Sequence, residues 1–158
     1  LNQLNPNVQV TAVKQRLQGG QLDEEVKKAD VILDCSDNFA TRFAVNKACV
    51  AFRKPLVSGA AIRFEGQVSV FTPGISASPC YNCLYKNEGE EMQNCATNGV
   101  IAPITGIVGS IQALEAMKLI INTGETLTGR LLLIDGLTMN IKTMRFKKNP
   151  GCPTCGNL

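Results

Sequence analysis

Val31 to Ala61 reads VILDCSDNFATRFAVNKACVAFRKPLVSGAA, and this stretch decides the fold. Val31-Ile-Leu-Asp-Cys35 is a short, continuous apolar run, the pattern of a strand covered on both faces in a parallel sheet. Ser36-Asp37-Asn38 follows as a turn. Phe39 to Phe52 then carries apolar residues at helical spacing, with Thr41 as a candidate cap, until Pro55 ends the helix. Leu56-Val57 opens the next strand, which Ser58-Gly59-Ala60-Ala61 is expected to break. Strand, helix and strand in this order build a doubly wound α/β sheet.

Upstream, Val8 to Val13 alternates after the Asn5-Pro6-Asn7 turn and is expected to be a strand. Leu22 to Ala29 is expected to be a short helix, acidic at its start and basic at its end. Downstream, Gln67 to Phe71 alternates as a further strand. Residues 72–98 form a long loop. Ile104 to Asn122 is the strongest helix, with an apolar stripe through Ile107, Ile111, Leu114, Met117 and Ile121 and a stop at Gly124. Arg130 to Asp135 and Asn140 to Phe146 are expected to pair antiparallel across Gly136-Leu-Thr138. The sheet is therefore mixed, with parallel N-terminal strands and antiparallel C-terminal ones. The 158 residues, 44% of them hydrophobic, are enough for one core and one domain over 1–158.

Two cysteine pairs, Cys80-Tyr-Asn-Cys83 and Cys152-Pro-Thr-Cys155, have the spacing with which two thiolates grip one metal ion. Together they make a closed four-sulfur site suited to structural zinc, clasping the chain's end to its middle. Two disulfides, unrelated thiols, or a redox protein using C-x-x-C exchange are the alternatives. Three further cysteines remain among the seven. Cys35 and Cys49 sit at apolar spacing and suit core packing, and Cys95 lies in the long loop. The odd count and the lack of a visible signal peptide fit a reducing, cytoplasmic setting. No apolar run is expected to reach transmembrane length, so no membrane role is expected. The net charge of +3 falls close to neutral with four thiolates around Zn²⁺, which does not call for nucleic acid. There is no histidine, which removes Ser-His and Cys-His dyads and histidine metal ligands.

Asp37 and Asn38 stand just past the carboxyl end of a strand, where open α/β sheets bind ligands. A carboxylate there suits Mg²⁺ on a nucleotide phosphate or a ribose hydroxyl, and it equally suits a helix cap. Gly106-x-x-Gly109 has no preceding strand, so it fits close helix packing better than a phosphate loop.

Several segments occur in one order: Asp34-Cys-Ser-Asp37-Asn38, Arg42, Pro55-Leu-Val-Ser-Gly-Ala-Ala61, Phe64-Glu-Gly-Gln67-Val, Cys80-x-x-Cys83, Asn94-Cys95, Gly106-x-x-Gly109-x-x-Gln112-Ala-Leu-Glu115-Ala-x-Lys118 and Gly151-Cys-Pro-x-Cys155. This set resembles the ThiF/MoeB/HesA family of E1-like adenylyltransferases over essentially the whole chain. The resemblance implies the C-terminal part of a Rossmann-like E1 fold with a structural zinc clasp. It also implies an enzyme that uses ATP and Mg²⁺ to adenylate the C-terminal glycine of a ubiquitin-like sulfur-carrier protein, for thiamin or molybdopterin synthesis. Asp37 then matches the family's aspartate near the α-phosphate and its magnesium, Asn38 adjoins the nucleotide, and Arg42 lines the site. For Arg42 a solvated helix face is the alternative. Ser58-Gly-Ala-Ala61 would let a carrier tail pass close to the backbone, or would simply make a tight connection. Cys95, twelve positions after Cys83, matches the reactive cysteine of ThiF-type members or is an ordinary loop thiol. A homodimer is implied, with the helix from Ile104 offering an apolar surface. The family's G-x-G-G-x-G phosphate loop has no counterpart here. The chain, which begins at Leu1, is therefore expected to be a C-terminal portion of such an enzyme that binds ATP poorly alone; the alternative is a zinc-stabilised carrier-binding or dimerisation module without catalysis.

Overall fold

The computed structural model describes residues 1, 3–75, 77–86 and 98–156. Its elements follow one another as α1 (Gly20–Lys28), β1 (Ile32–Asp34), α2 (Phe39–Ala51), β2 (Leu56–Ile62), β3 (Glu65–Phe71), α3 (Tyr81–Leu84), α4 (Ala102–Ile121), β4 (Arg130–Asp135) and β5 (Asn140–Arg145). The five strands form one sheet in sequence order. Only β1 and β2 are parallel, with Ile32 opposite Leu56, and α2 makes the crossover between them. From β2 onward the sheet is an antiparallel meander in which Val57 faces Val70, Gln67 faces Leu133 and Leu133 faces Lys142. The mixed sheet is therefore as the sequence predicts, with the parallel part confined to one strand pair.

Alternation along the strands sorts side chains to two faces. One face carries Val57, Val68, Val70 and Ile134, and α4 covers it with Ile104, Val108 and Ala116. The other carries Leu56 and Phe71, covered by α1, α2 and α3 through Val26, Ala48, Cys49 and Tyr81.

Four expectations need correction. Val8 to Val13 is not a strand. It runs exposed with no ladder partner, and alternation alone cannot hold a strand away from a sheet edge. Ser58-Gly59-Ala60-Ala61 does not break β2, which runs unbroken through it opposite β3. Gly59 is needed because α4 crosses here: a Cβ would stand 2.3 Å from the Gln112 side chain. Gly106 and Gly109 have open space where a Cβ would go, so they mark no close helix packing. Residues 72–98 are not loop throughout, for Tyr81–Leu84 form the short helix α3. The stripe on α4, expected to offer an apolar surface, mostly faces outward: Ile107, Leu114, Met117 and Ile121 are exposed while Ile104, Val108, Gln112, Glu115 and Ala116 are buried.

Two polar groups thus sit on the inward face of α4, and both are bonded. The Gln112 amide donates to the carbonyls of Asp34 (2.9 Å) and Val57 (3.2 Å), which ties α4 to both parallel strands. Glu115 accepts the Leu127 amide at 2.7 Å and pairs with Lys118. α4 is long and apolar enough, by length and composition, to cross a bilayer. The engagement of Gln112 and Glu115 with the sheet makes it a structural helix of this domain. Its last turn closes with Asn122 in the left-handed conformation (φ 50°), two residues before the expected Gly124.

Candidate functional site

Two features lie on the face opposite α4: a four-thiol clasp and a cavity lined by both apolar and charged side chains. The clasp brings together Cys80 at the N-cap of α3, Cys83 within it, and Cys152 and Cys155 from the C-terminal turn. Local backbone bonds shape both pairs, from Cys83 N–H to the Cys80 carbonyl (2.9 Å) and from Gly156 N–H to the Cys152 carbonyl (2.9 Å). Gly156 is needed there, because a Cβ would meet the Pro150 and Cys152 carbonyls at 2.5 and 2.6 Å.

The sulfur geometry tests the metal directly. Sγ–Sγ separations are 4.0 Å for Cys80–Cys83, 3.6 Å for Cys80–Cys152 and 3.4 Å for Cys83–Cys155, and all four sulfurs lie within 4.8 Å of one another. Metal–sulfur bonds of about 2.3 Å in a tetrahedron space the sulfurs about 3.8 Å apart, whereas a disulfide needs about 2.05 Å. The cluster fits one metal ion held by four thiolates, and none of the four is in a disulfide. Four protein ligands fill a tetrahedron, so such an ion has no open position for substrate or water.

The cavity, of about 370 Å³, lies between the N-terminal end of α2 and strands β2 to β5. Asp37, Phe39 and Arg42 line one end. The small residues Ala60, Ala61 and Gly66 lie along the middle with Gln67, and Glu65, Asp135, Asn140 and Lys142 line the far side. Asp37 and Arg42 thus both line this cavity. Asn38 is instead the N-cap of α2: its Oδ1 accepts the Thr41 amide at 2.9 Å, the cap role expected of Thr41. Its Nδ2 donates to Asp37 Oδ1 at 3.2 Å.

Arg42 is no solvated cation. It is 5% exposed, and its Nε and Nη2 both donate to the Ser36 carbonyl, at 3.2 and 2.7 Å. Ser36 is held from the other side too: its N–H and hydroxyl both donate to buried Asp34 Oδ1, at 2.9 and 2.7 Å. The turn bearing Asp37 is thus gripped between Asp34 and Arg42, while the second Asp34 oxygen has no bonded partner among the described residues. Sequence reasoning missed Asp34 in this role, although its place at the carboxyl end of β1 was a usable signal.

Aromatic packing connects cavity and clasp. Tyr81 stacks on Tyr85 with centroids 4.7 Å apart and meets Phe43 edge-on at 5.3 Å. The Tyr85 hydroxyl donates to Gln67 Oε1 at 2.8 Å and so fixes a cavity side chain. Burial pushes the Tyr81 phenol up to about 12 and raises Tyr85 as well, so both stay protonated and uncharged at neutral pH. Burial likewise pushes the Cys49 thiol up to about 12 and raises Cys35, so neither is a ready nucleophile. For Cys49 that agrees with core packing. Cys35 differs, being exposed. Cys95 lies outside the described residues.

The ThiF family model matches residues 1–154. The chain is 46% identical over 156 residues to the sulfur carrier protein ThiS adenylyltransferase of Escherichia coli K12, covering 99% of this chain and 61% of that protein. It is 41% identical to the molybdopterin-synthase adenylyltransferase of the same organism, with 99% and 62% covered, and 44% identical to the SAMP-activating enzyme E1 of Haloferax volcanii, with 97% and 56% covered. The chain thus spans about three-fifths of the length of these relatives. In fold it is similar to a solved structure of Escherichia coli MccB with ATP, at a TM-score of 0.80 and 20% identity, over 99% of this chain and 48% of that one.

Proposed function

The chain belongs to the ThiF family, and from that premise we propose that it is the C-terminal portion of an ATP-dependent adenylyltransferase acting on a ubiquitin-like sulfur-carrier protein. The observation that supports this best is the cavity itself. Asp37 stands at one end, and the small side chains of Ala60, Ala61 and Gly66 leave the backbone open to an extended peptide ending in glycine.

Adenylation joins a carboxylate oxygen to the α-phosphorus of ATP and expels pyrophosphate. The attacking carboxylate is already ionised at neutral pH, so no general base is needed, and a chain without histidine meets the demand. What the reaction needs is alignment of two anions and compensation of phosphate charge. Asp37 would hold the magnesium that supplies this compensation. Arg42 would act chiefly by fixing the Ser36 carbonyl, and with it the turn that aims Asp37. Asn38, adjoining the nucleotide, would also contribute through Asp37 and the α2 cap. The four thiolates would hold zinc as a structural ion. Cys95 would be the thiol that takes part in the sulfur transfer following adenylation. A cytoplasmic, homodimeric enzyme with no nucleic-acid or membrane partner completes the proposal.

The test is ATP–pyrophosphate exchange by the full-length parent, stimulated by a carrier protein that ends in glycine. Asp37→Ala should reduce exchange at least about 100-fold, the scale of losing one electrostatic element. Cys95→Ala should leave exchange intact and lower sulfur transfer. Exchange that survives Asp37→Ala removes Asp37 from the metal, and no exchange with any such carrier overturns the activity. The 158 residues hold no G-x-G-G-x-G segment, and this favours a second reading for the chain taken alone: a metal-stabilised carrier-binding module without catalysis. Carrier binding that is indifferent to ATP would support it.

A further inference from the structure

Asn46 lies midway along α2, the helix whose first turns line the cavity, and its side chain reaches the clasp. It is 1% exposed. Its Oδ1 accepts the Tyr81 backbone N–H at 2.9 Å. A backbone N–H can only donate, so this bond fixes which end of the amide is oxygen. Nδ2 is thereby turned to Cys80 Sγ at 3.8 Å and Asn82 Oδ1 at 3.4 Å. Asn46 is not one of the four sulfur ligands but stands beside one of them.

A buried amide is costly unless each end is satisfied, and a neutral thiol is a poor acceptor. Opposite a metal-bound thiolate the same N–H makes a charge-assisted bond. We propose that Asn46 is a positioning residue for the metal centre: it donates to the Cys80 thiolate, holds α3 in place through Tyr81, and so carries occupancy of the clasp to the cavity-bearing helix. The proposal rests on the clasp holding a metal through its four sulfurs. Asn149 N–H, 3.4 Å from Cys83 Sγ, is the matching donor on the other pair, but it comes from the backbone and cannot be removed by substitution of its side chain.

The experiment titrates zinc into the purified chain against a chromophoric chelator, for the parent, Asn46→Asp and Asn46→Ala. Asn46→Asp keeps an oxygen for Tyr81 N–H and loses the amide donor; Asn46→Ala lacks a donor in every protonation state. Both should bind zinc about 10- to 100-fold more weakly, the usual cost of an outer-shell partner. The thermal midpoint gap between parent and Asn46→Asp should be larger with zinc than without it, and zinc-dependent protection of α2 amides from hydrogen exchange should shrink in both variants. An Asn46 that merely packs would give the same gap in both states. Equal gaps, or affinities within about twofold of the parent in both variants, overturn the proposal. A parent chain that binds no zinc overturns the metal reading beneath it.

Discussion

At the scale of single residues, the sequence located Asp37, Asn38 and Arg42 but did not divide labour among them. The three sit within six positions, so proximity was legible. Which of them faces the cavity depends on where the turn ends and α2 begins. Asn38, not Thr41, takes the cap, and that choice turns Arg42 inward onto Ser36 rather than outward into solvent. Cysteines divide in the same way. The two C-x-x-C pairs were legible from spacing alone, because a tetrahedral ion imposes that spacing. Asn46 was not, because an amide partner of a thiolate leaves no mark in the pattern. Cys49 was legible as core, and it carries a pH signature. Its thiol ionises near 9 when unfolded and near about 12 when buried, so above pH 9 the unfolded chain sheds a proton that the folded chain keeps. Its contribution is therefore complete below pH 9 and is lost as the pH rises toward about 12. Unfolding free energies from denaturant titrations between pH 8 and 10.5 should fall more steeply for the parent than for Cys49→Ala, the difference approaching about 1.4 kcal/mol per pH unit. Parallel slopes would show that Cys49 titrates normally.

Among the elements, the least legible were those decided by what packs on them. β2 reads as interrupted because Ser-Gly-Ala-Ala has poor strand propensity, and tertiary packing overrides it. The run is flanked by β1 and β3, and its small residues serve two neighbours: Gly59 admits the Gln112 side chain from α4, while Ala60 and Ala61 border the cavity. Val8 to Val13 is the converse case, a good strand pattern with no edge to join. Whereas α3 lay inside an expected loop, helices α1, α2 and α4 were legible in extent, to within two residues, because length and breakers set them. Their buried faces were not, and α4 buries Gln112 and Glu115 while exposing Leu114. Packing of α4 on the sheet can be tested at its tightest point. Gly59→Ala places a methyl group against a side chain bonded to two strand carbonyls and should destabilise the fold by about 1 to 3 kcal/mol. Urea denaturation reads this directly. A neutral substitution would mean that Gln112 moves freely, and the bridge to Asp34 and Val57 would then carry little of the docking.

For the molecule as a whole, coverage of the sheet is uneven, and that asymmetry bears on assembly. The face toward α2 is closed at one end by α1, α2 and the clasp and left open at the other as the cavity. The face toward α4 is sealed, but the helix that seals it turns a second apolar surface outward. Ile107, Leu114 and Ile121 recur every seven residues, with Met117 between the last two, a spacing that aligns them on one stripe of a helix. Leu114, Met117 and Ile121 are 55, 58 and 63% exposed. No lysine or glutamate interrupts them, because Glu115 and Lys118 pair with each other beside the Leu127 segment. Leaving such a stripe in water forfeits roughly 25 cal/mol for each Å² that a partner could cover. A second copy presenting the same stripe across a two-fold axis covers both at once, since an isologous contact needs only one self-complementary patch. The chain should accordingly sediment as a dimer at micromolar concentration, and Leu114→Glu with Met117→Glu should convert it to a monomer. Both side chains are more than half exposed, so the double variant should keep the parent's circular dichroism and zinc stoichiometry. A parent that sediments as a monomer at about 100 μM, far above the concentration at which dimers of nanomolar affinity form, would assign the stripe to some partner other than a second copy.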